Sequence, residues 1–204
     1  MHQQLVRHLI DSGMLRSRRI VDAFRAVDRA YFVPPYFGSA ETYLDRPLPI
    51  GYGQTISQPS TVAFMLELLQ PQAGDKILDV GTGSGWTSAL LGHIVGEKGS
   101  VHGVEIAPEL VEVGRRNVER CLKANVMIAP ATFNHLGDPQ YVPYDRILAS
   151  ASATEIPTQL VAQLKVGGVL VLPVQNNVVF LRKQKNSQHE IHSYPGFVFV
   201  PLVT

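Results

Sequence analysis

The chain has 204 residues, 45% of them hydrophobic, and 18 Lys and Arg against 17 Asp and Glu give a formal net charge of +1. That length supports one substantial core rather than two comfortable domains, and so balanced a charge gives no global field to attract nucleic acid, an anionic membrane or a strongly acidic partner. A single cysteine, Cys121, rules out an internal disulfide, and no apolar run reaches the roughly 18 residues needed to cross a bilayer. The expectation is a monomer and a single domain over residues 1–204, with N-terminal helices and a loop over residues 1–57 and an α/β core over residues 58–204. Gln3, Gln4, Arg7 and Asp11 break up the N-terminal apolar positions, so no signal-peptide core is read and a cytoplasmic location is expected.

Residues 2–13 and 17–29 set Leu5, Leu9 and Ile10, then Ile20, Ala23, Phe24 and Val27, at helical spacing, with five arginines between them. They predict two amphipathic helices joined near Gly13. Asp11, Asp22 and Asp28 dilute the arginines, which reads as a solvated face rather than a nucleic-acid surface. Residues 31–57 follow neither a period of two nor one of 3.6, and Pro34, Pro35, Pro47, Pro49, Gly38, Gly51 and Gly53 predict a long irregular segment. Its many aromatic and apolar side chains argue against disorder, so it is expected to pack and to line a site.

From residue 58 the pattern alternates: helix near 59–70, strand 76–80, helix 86–95, strand 100–105, helix 108–121, strand 125–129, strand 146–149, helix 157–165 and strand 169–172. Such alternation predicts an α/β fold with a doubly wound, mostly parallel sheet covered on both faces. Strands at 177–183 and 196–202, joined by the polar run from Lys183 to Gln188, are expected to close the chain.

The most informative stretch is Ile77-Leu78-Asp79-Val80-Gly81-Thr82-Gly83-Ser84-Gly85-Trp86, where an apolar strand opens through a glycine turn into a helix. The dinucleotide fingerprint needs its third glycine where Trp86 stands, so a pyrophosphate-bearing cofactor is disfavoured. Glu105 ends the next strand about twenty residues on, where an acid meets a ribose in nucleotide-binding α/β units. S-adenosylmethionine, with ribose hydroxyls and a cationic sulfonium, has the required properties. Asp79 is either a carboxylate near the cofactor or a strand-end group capping the turn.

The run Leu48-Pro49-Ile50-Gly51 followed by Gly53-Gln54-Thr55-Ile56-Ser57-Gln58-Pro59, taken with Asp28-Arg29-Ala30-Tyr31-Phe32-Val33-Pro34 and the glycine turn, resembles the protein-L-isoaspartate O-methyltransferase family. Matches continue through Pro143-Tyr144-Asp145-Arg146-Ile147, Ile156-Pro157, Leu172-Pro173-Val174 and Phe199-Val200-Pro201-Leu202. The resemblance implies the methyltransferase type of α/β sheet with extra N-terminal helices. It also implies methyl transfer from S-adenosylmethionine to the α-carboxylate of isoaspartyl residues in damaged peptides or proteins, giving an ester that collapses to succinimide. On this resemblance Ser57 is the active-site serine, and Thr55, Ile56, Ser57, Asp79, Gly81, Thr82, Gly83, Ser84, Gly85, Glu105, Ile106 and Phe133 form the expected cofactor set, with no metal. From its own spacing, Ser57 could instead cap the helix that starts near Pro59.

The chain departs from the family at one informative place. Family members carry Gly-Asp-Gly after the strand at 125–129, with the aspartate addressing adenine, whereas Thr132-Phe133-Asn134 stands here. Phe133 could stack on the base, or Asn134 could supply a neutral acceptor. The run Ser150-Ala151-Ser152-Ala153 and Gln175 also differ from the family pattern. The competing readings are a different methyl acceptor, a non-catalytic binding module with a decayed adenine pocket, and a nicotinamide-dependent oxidoreductase.

Overall fold

The computed structural model describes residues 1–121, 125–132, 134–186 and 188–203. It begins with helices α1 (His2–Asp11) and α2 (Arg18–Ala26), a 3-10 turn at Arg29–Phe32, a short helix α3 (Ser39–Thr42) and a hairpin of β1 (Leu48–Gly51) and β2 (Gln54–Ile56). There follow α4 (Pro59–Leu69), β3 (Lys76–Val80), α5 (Trp86–Val95), β4 (Ser100–Glu105), α6 (Pro108–Cys121) and β5 (Val126–Pro130). The chain continues through β6 (Tyr144–Ala149), α7 (Thr158–Gln163), β7 (Leu164–Val174), β8 (Asn177–Arg182) and β9 (Glu190–Pro195).

Strands β3 to β9 form one sheet in the order β5-β4-β3-β6-β7-β8-β9, parallel from β5 to β7 and antiparallel at β8 and β9. The doubly wound, mostly parallel class is therefore present. Alternate strand residues divide between two cores, as a side-chain period of two requires. Ile77, Val101, Ile128, Leu148 and Val171 pack with the apolar faces of α1, α2, α4, α5 and α6, whereas Leu78, Val104, Ile147 and Leu170 pack with Leu160 of α7 and Leu136. The order reverses at β3, whose neighbours β4 and β6 lead to opposite edges, and the crevice beyond that strand is where α/β sheets bind ligands.

The N-terminal helices are docked by a buried carboxylate. Glu67 on α4 accepts the amides of Arg16 (2.8 Å) and Ser17 (2.7 Å) and the Ser17 hydroxyl (2.6 Å), satisfying the start of α2. Burial raises the pKa of Glu67, but these bonds outweigh it and hold the carboxyl below its ordinary value. Arg18 and Arg25 lie at the surface beside Asp22, the solvated face expected of this helix.

Two expectations are corrected. Residues 31–57 are not irregular throughout: β1 and β2 pair around a Gly51-Tyr52-Gly53 tip, in which all three residues take positive φ. The two glycines adopt that geometry without a Cβ penalty, and the alternation over β1 and β2 is too short to register as a period. Residues 196–202 are not a strand. The edge strand is instead β9, polar and largely exposed, paired along β8 from Asn177↔Pro195 to Arg182↔Glu190. Apart from Tyr194, half-buried edge-on to Phe64, this edge strand is polar or exposed and carries no apolar alternation, so periodicity leaves it silent. The apolar tail beyond Gly196 crosses the sheet end, where Ser152 donates its amide to the Val200 carbonyl and accepts that of Leu202, both at 2.8 Å.

Candidate active site at the carboxyl edge of the sheet

A cleft enclosing about 960 Å³ of atom-free space, its mouth included, opens at the carboxyl ends of β3, β4 and β6. Its walls come from residues 54–57, 80–84 and 104–106, from 131–132 and 135–137 beyond β5, and from 150–151 and 200–203. Thr55, Ile56, Ser57, Gly81, Thr82, Gly83, Ser84, Glu105 and Ile106 of the expected set all line it. Phe133 lies outside the described residues.

The glycine turn is committed to its own fold. The amides of Gly81 and Thr82 go to the Val104 carbonyl, that of Gly83 to Glu105 Oε2 (2.8 Å) and that of Gly85 to the Thr82 carbonyl. A phosphate cradle needs free amides at this turn, so the local hydrogen bonding opposes one. Gly85 does not reach the cleft. It holds φ +91° at the start of α5, and a Cβ there would stand 3.0 Å from both the Gly114 carbonyl oxygen and Val118 of α6. Its lack of a side chain lets α5 seat against α6. The Thr82 hydroxyl is buried on the cleft wall with no hydrogen-bond partner among the described residues.

Glu105 is 4% exposed and spans the turn and the start of α6, accepting from Gly83 through Oε2 and from the Ala107 amide through Oε1 (3.0 Å). Each carboxylate oxygen keeps a further lone pair on a residue that lines the cleft. Asp79 is fully buried behind the turn and does not line the cleft. Its Oδ2 accepts the hydroxyls of Thr87 (2.7 Å) and Ser88 (2.6 Å) in the first turn of α5, while Oδ1 has no partner among the described residues. Burial, together with the nearby Glu105 charge, pushes its pKa up to about 6 against the pull of the two hydroxyls.

Ser57 is not the cap of α4. Gln58 occupies that position without a side-chain cap, and the Ser60 amide is taken by Asp45 Oδ1 at 2.8 Å. The Ser57 hydroxyl makes no hydrogen bond among the described residues and belongs to the cleft.

Of three further residues on or behind the walls, the sequence reads Trp86 as helix-start packing or an aromatic beside the methionine end of the cofactor and His135 as a surface histidine, whereas Arg29 enters only within the family motif. Trp86, 3% exposed, forms part of the cleft wall, with Phe24 edge-on to its ring at 5.6 Å. His135, expected at the surface, is exposed but also lines the cleft beside Thr132, next to the place of the missing acid. Arg29 is fully buried and donates to the carbonyls of Thr42, Leu44, Arg46 and Ser57. An arginine just ahead of a proline-rich segment is a weak signal, because its four acceptors are backbone atoms that leave no trace in side-chain identity.

Comparison with known proteins agrees with this architecture. The description protein-L-isoaspartate(D-aspartate) O-methyltransferase matches residues 1–204. A Staphylothermus marinus protein-L-isoaspartate O-methyltransferase is 39% identical over 210 residues, covering 98% of this chain and 93% of its own length. The Aeropyrum pernix protein of that name is 48% identical over 172 residues and 84% of this chain, which spans 65% of that relative. A solved protein-L-isoaspartate O-methyltransferase superposes with a TM-score of 0.90 at 27% identity, over 100% of this chain and 66% of its own. A Plasmodium falciparum protein solved with S-adenosyl-L-homocysteine shares the fold at a TM-score of 0.82 and 23% identity, over 98% of this chain and 97% of its own. Matched along its whole length by that description, and 39% identical to a relative over nearly all of that relative, the chain belongs to the protein-L-isoaspartate(D-aspartate) O-methyltransferase family.

Proposed function

We propose that this chain transfers a methyl group from S-adenosylmethionine to the α-carboxylate of isoaspartyl residues in peptides or proteins. The carrying observation is the cleft itself, with the unpaired Ser57 hydroxyl on one wall and Glu105 with the glycine turn on the other. The residues suit that cofactor: Glu105 retains lone pairs for ribose hydroxyls, the Thr82 hydroxyl is an orphaned buried group on the wall, and the amides of Gly81, Thr82, Gly83 and Gly85 are engaged within the protein. Thr132 and His135 line the end nearest β5, where the base would lie.

Bound there, S-adenosylmethionine supplies an electrophilic methyl carbon on a cationic sulfur. Glu105 and Asp79 put two carboxylates on that side, which suits a sulfonium better than a phosphate. The acceptor carboxylate is already ionised at neutral pH, so no general base is needed. Ser57 donates a hydrogen bond that orients one carboxylate oxygen, and the walls hold that oxygen in line with the donor. The new bond joins oxygen to the methyl carbon as the carbon–sulfur bond breaks, and no proton moves.

The reading extends to a monomer in a reducing, cytoplasmic compartment, supported by the lone Cys121 and the near-neutral charge. Among the described residues no helix is long and apolar enough to cross a membrane. The test is transfer of labelled methyl to an isoaspartyl peptide and to its aspartyl counterpart. Base-labile label on the isoaspartyl form alone is expected, and label on neither peptide rejects the activity. In Ser57→Ala the loss of one hydrogen bond to a charged group lowers kcat/KM roughly tenfold to a hundredfold, and an unchanged rate removes Ser57 from the reaction.

A further inference from the structure

Arg29 is a full positive charge with no exposed surface and, among the described residues, no carboxylate within ion-pair distance. Burying such a charge is costly unless it is intensively hydrogen bonded, and here the hydrogen bonds are all to backbone carbonyls, with Nε left without a partner among the described residues. Nη1 donates to the Thr42 and Leu44 carbonyls, and Nη2 donates to those of Arg46 (3.1 Å) and Ser57 (3.2 Å). The guanidinium also lies over Trp86, its central carbon 5.4 Å from the ring centroid. Burial lowers its pKa to about 10, with Asp45 opposing, so it stays cationic at neutral pH. Two of its contacts, Ser57 and Trp86, are cleft wall; the other three acceptors, Thr42, Leu44 and Arg46, are not. One side chain therefore couples residues 42–46 to the serine wall, and places a cation against the Ser57 carbonyl.

We propose that Arg29 is a positioning residue for the methyl acceptor: its fork fixes the Ser57 wall, and its charge biases that wall toward an anionic carboxylate. The proposal rests on the methyl-transfer reading above. It predicts an asymmetry that a merely structural arginine would not produce. Arg29 makes no hydrogen bond to Glu105 or the glycine turn, so its influence on cofactor affinity passes only through Ser57 and Trp86 and is expected to be the smaller of its two effects.

Arg29→Lys keeps the charge and loses the planar fork, which cannot be matched by a single ammonium. In this variant KM for the isoaspartyl peptide rises about tenfold or more, while the calorimetric Kd for S-adenosylhomocysteine stays within about twofold. Fluorescence from Trp86, the only tryptophan of the chain, shifts to the red as the guanidinium leaves its face. An unchanged peptide KM, or loss of S-adenosylhomocysteine affinity in parallel with it, overturns the proposal. Should Arg29→Lys fail to fold, the unmodified protein decides: peptide added to the S-adenosylhomocysteine-loaded chain is expected to slow amide exchange over residues 42–46, and no change there overturns the coupling. If the unmodified chain methylates no isoaspartyl peptide, both readings fall; if it does and Arg29→Lys keeps its KM, only the positioning role is lost.

Discussion

The wall made by the sheet and the wall made by residues 29–57 are held in place differently, and the buried charges behind them differ in sign, Glu105 and Asp79 on one side and Arg29 on the other. Strand ladders and turn amides fix the sheet wall, and its ionisable groups, Glu105 and Asp79, are acidic. Among the described residues the opposing wall has only the β1–β2 ladder and a few side-chain bonds, among which the donors of one cation, Arg29, reach carbonyls 13 to 28 residues away. The sheet wall is thus redundant and suited to a cationic donor, whereas the other is hub-like and suited to an anionic acceptor. Separating the two charges across the cleft lets each reactant meet its complement.

Gly85→Ala should break the sheet wall most severely. It forces a side chain into a left-handed conformation and against the Gly114 carbonyl at 3.0 Å, at a cost of about 2–4 kcal/mol. A denaturant melt measures it, and a cost below about 1 kcal/mol would mean that α6 yields easily. Glu105→Gln sharpens the comparison by acting on the donor side alone. An amide nitrogen must then face either the Gly83 or the Ala107 N–H, so S-adenosylhomocysteine affinity falls roughly tenfold to a hundredfold in calorimetry. Peptide KM at saturating cofactor should hold nearly constant.

Asp79 gives the sheet wall a pH signature. Its folded pKa of about 6 lies above the unfolded value, so its contribution to stability is full below the unfolded pKa and is lost as pH rises to 6. Relative to Asp79→Asn, the unmodified chain should lose about 2 kcal/mol of stability between roughly pH 4 and pH 6, read from urea midpoints. Parallel curves would place the titration elsewhere. The smallest effect belongs to the opposing wall. Asp45→Ala removes the acceptor of the Ser60 amide and costs about 1 kcal/mol, with a modest rise in peptide KM.

The same contrast explains what could be read from the sequence. The parallel sheet, the glycine turn and Glu105 were legible because period two, helical spacing and a fixed strand-to-acid distance are local patterns. Asp79 stayed ambiguous until its hydroxyl partners on α5 placed it behind the turn. Ser57 looked like a cap because spacing cannot show that Asp45, twelve positions earlier, already serves α4. Arg29 reads only as part of a motif and His135 only as a surface histidine, since their places at the site depend on where distant backbone and the loop beyond β5 come to lie. The segment 196–202 misled because its alternation comes from Phe197 and Phe199 packing on the core, Phe197 stacked on Phe64, and from residues 200–202 crossing the sheet end, not from pairing with a neighbouring strand.

The crossing of residues 200–203 over the sheet end has a consequence for biosynthesis. Contributors to the cleft run from residue 54 to residue 203, so a chain emerging from the ribosome can assemble β3 to β6 well before its pocket has a full perimeter. Competence for ligand would therefore arrive late, after most of the hydrophobic interior has formed. Any fusion or truncation near that stretch would be felt first as altered binding, with the melting behaviour of the sheet largely preserved.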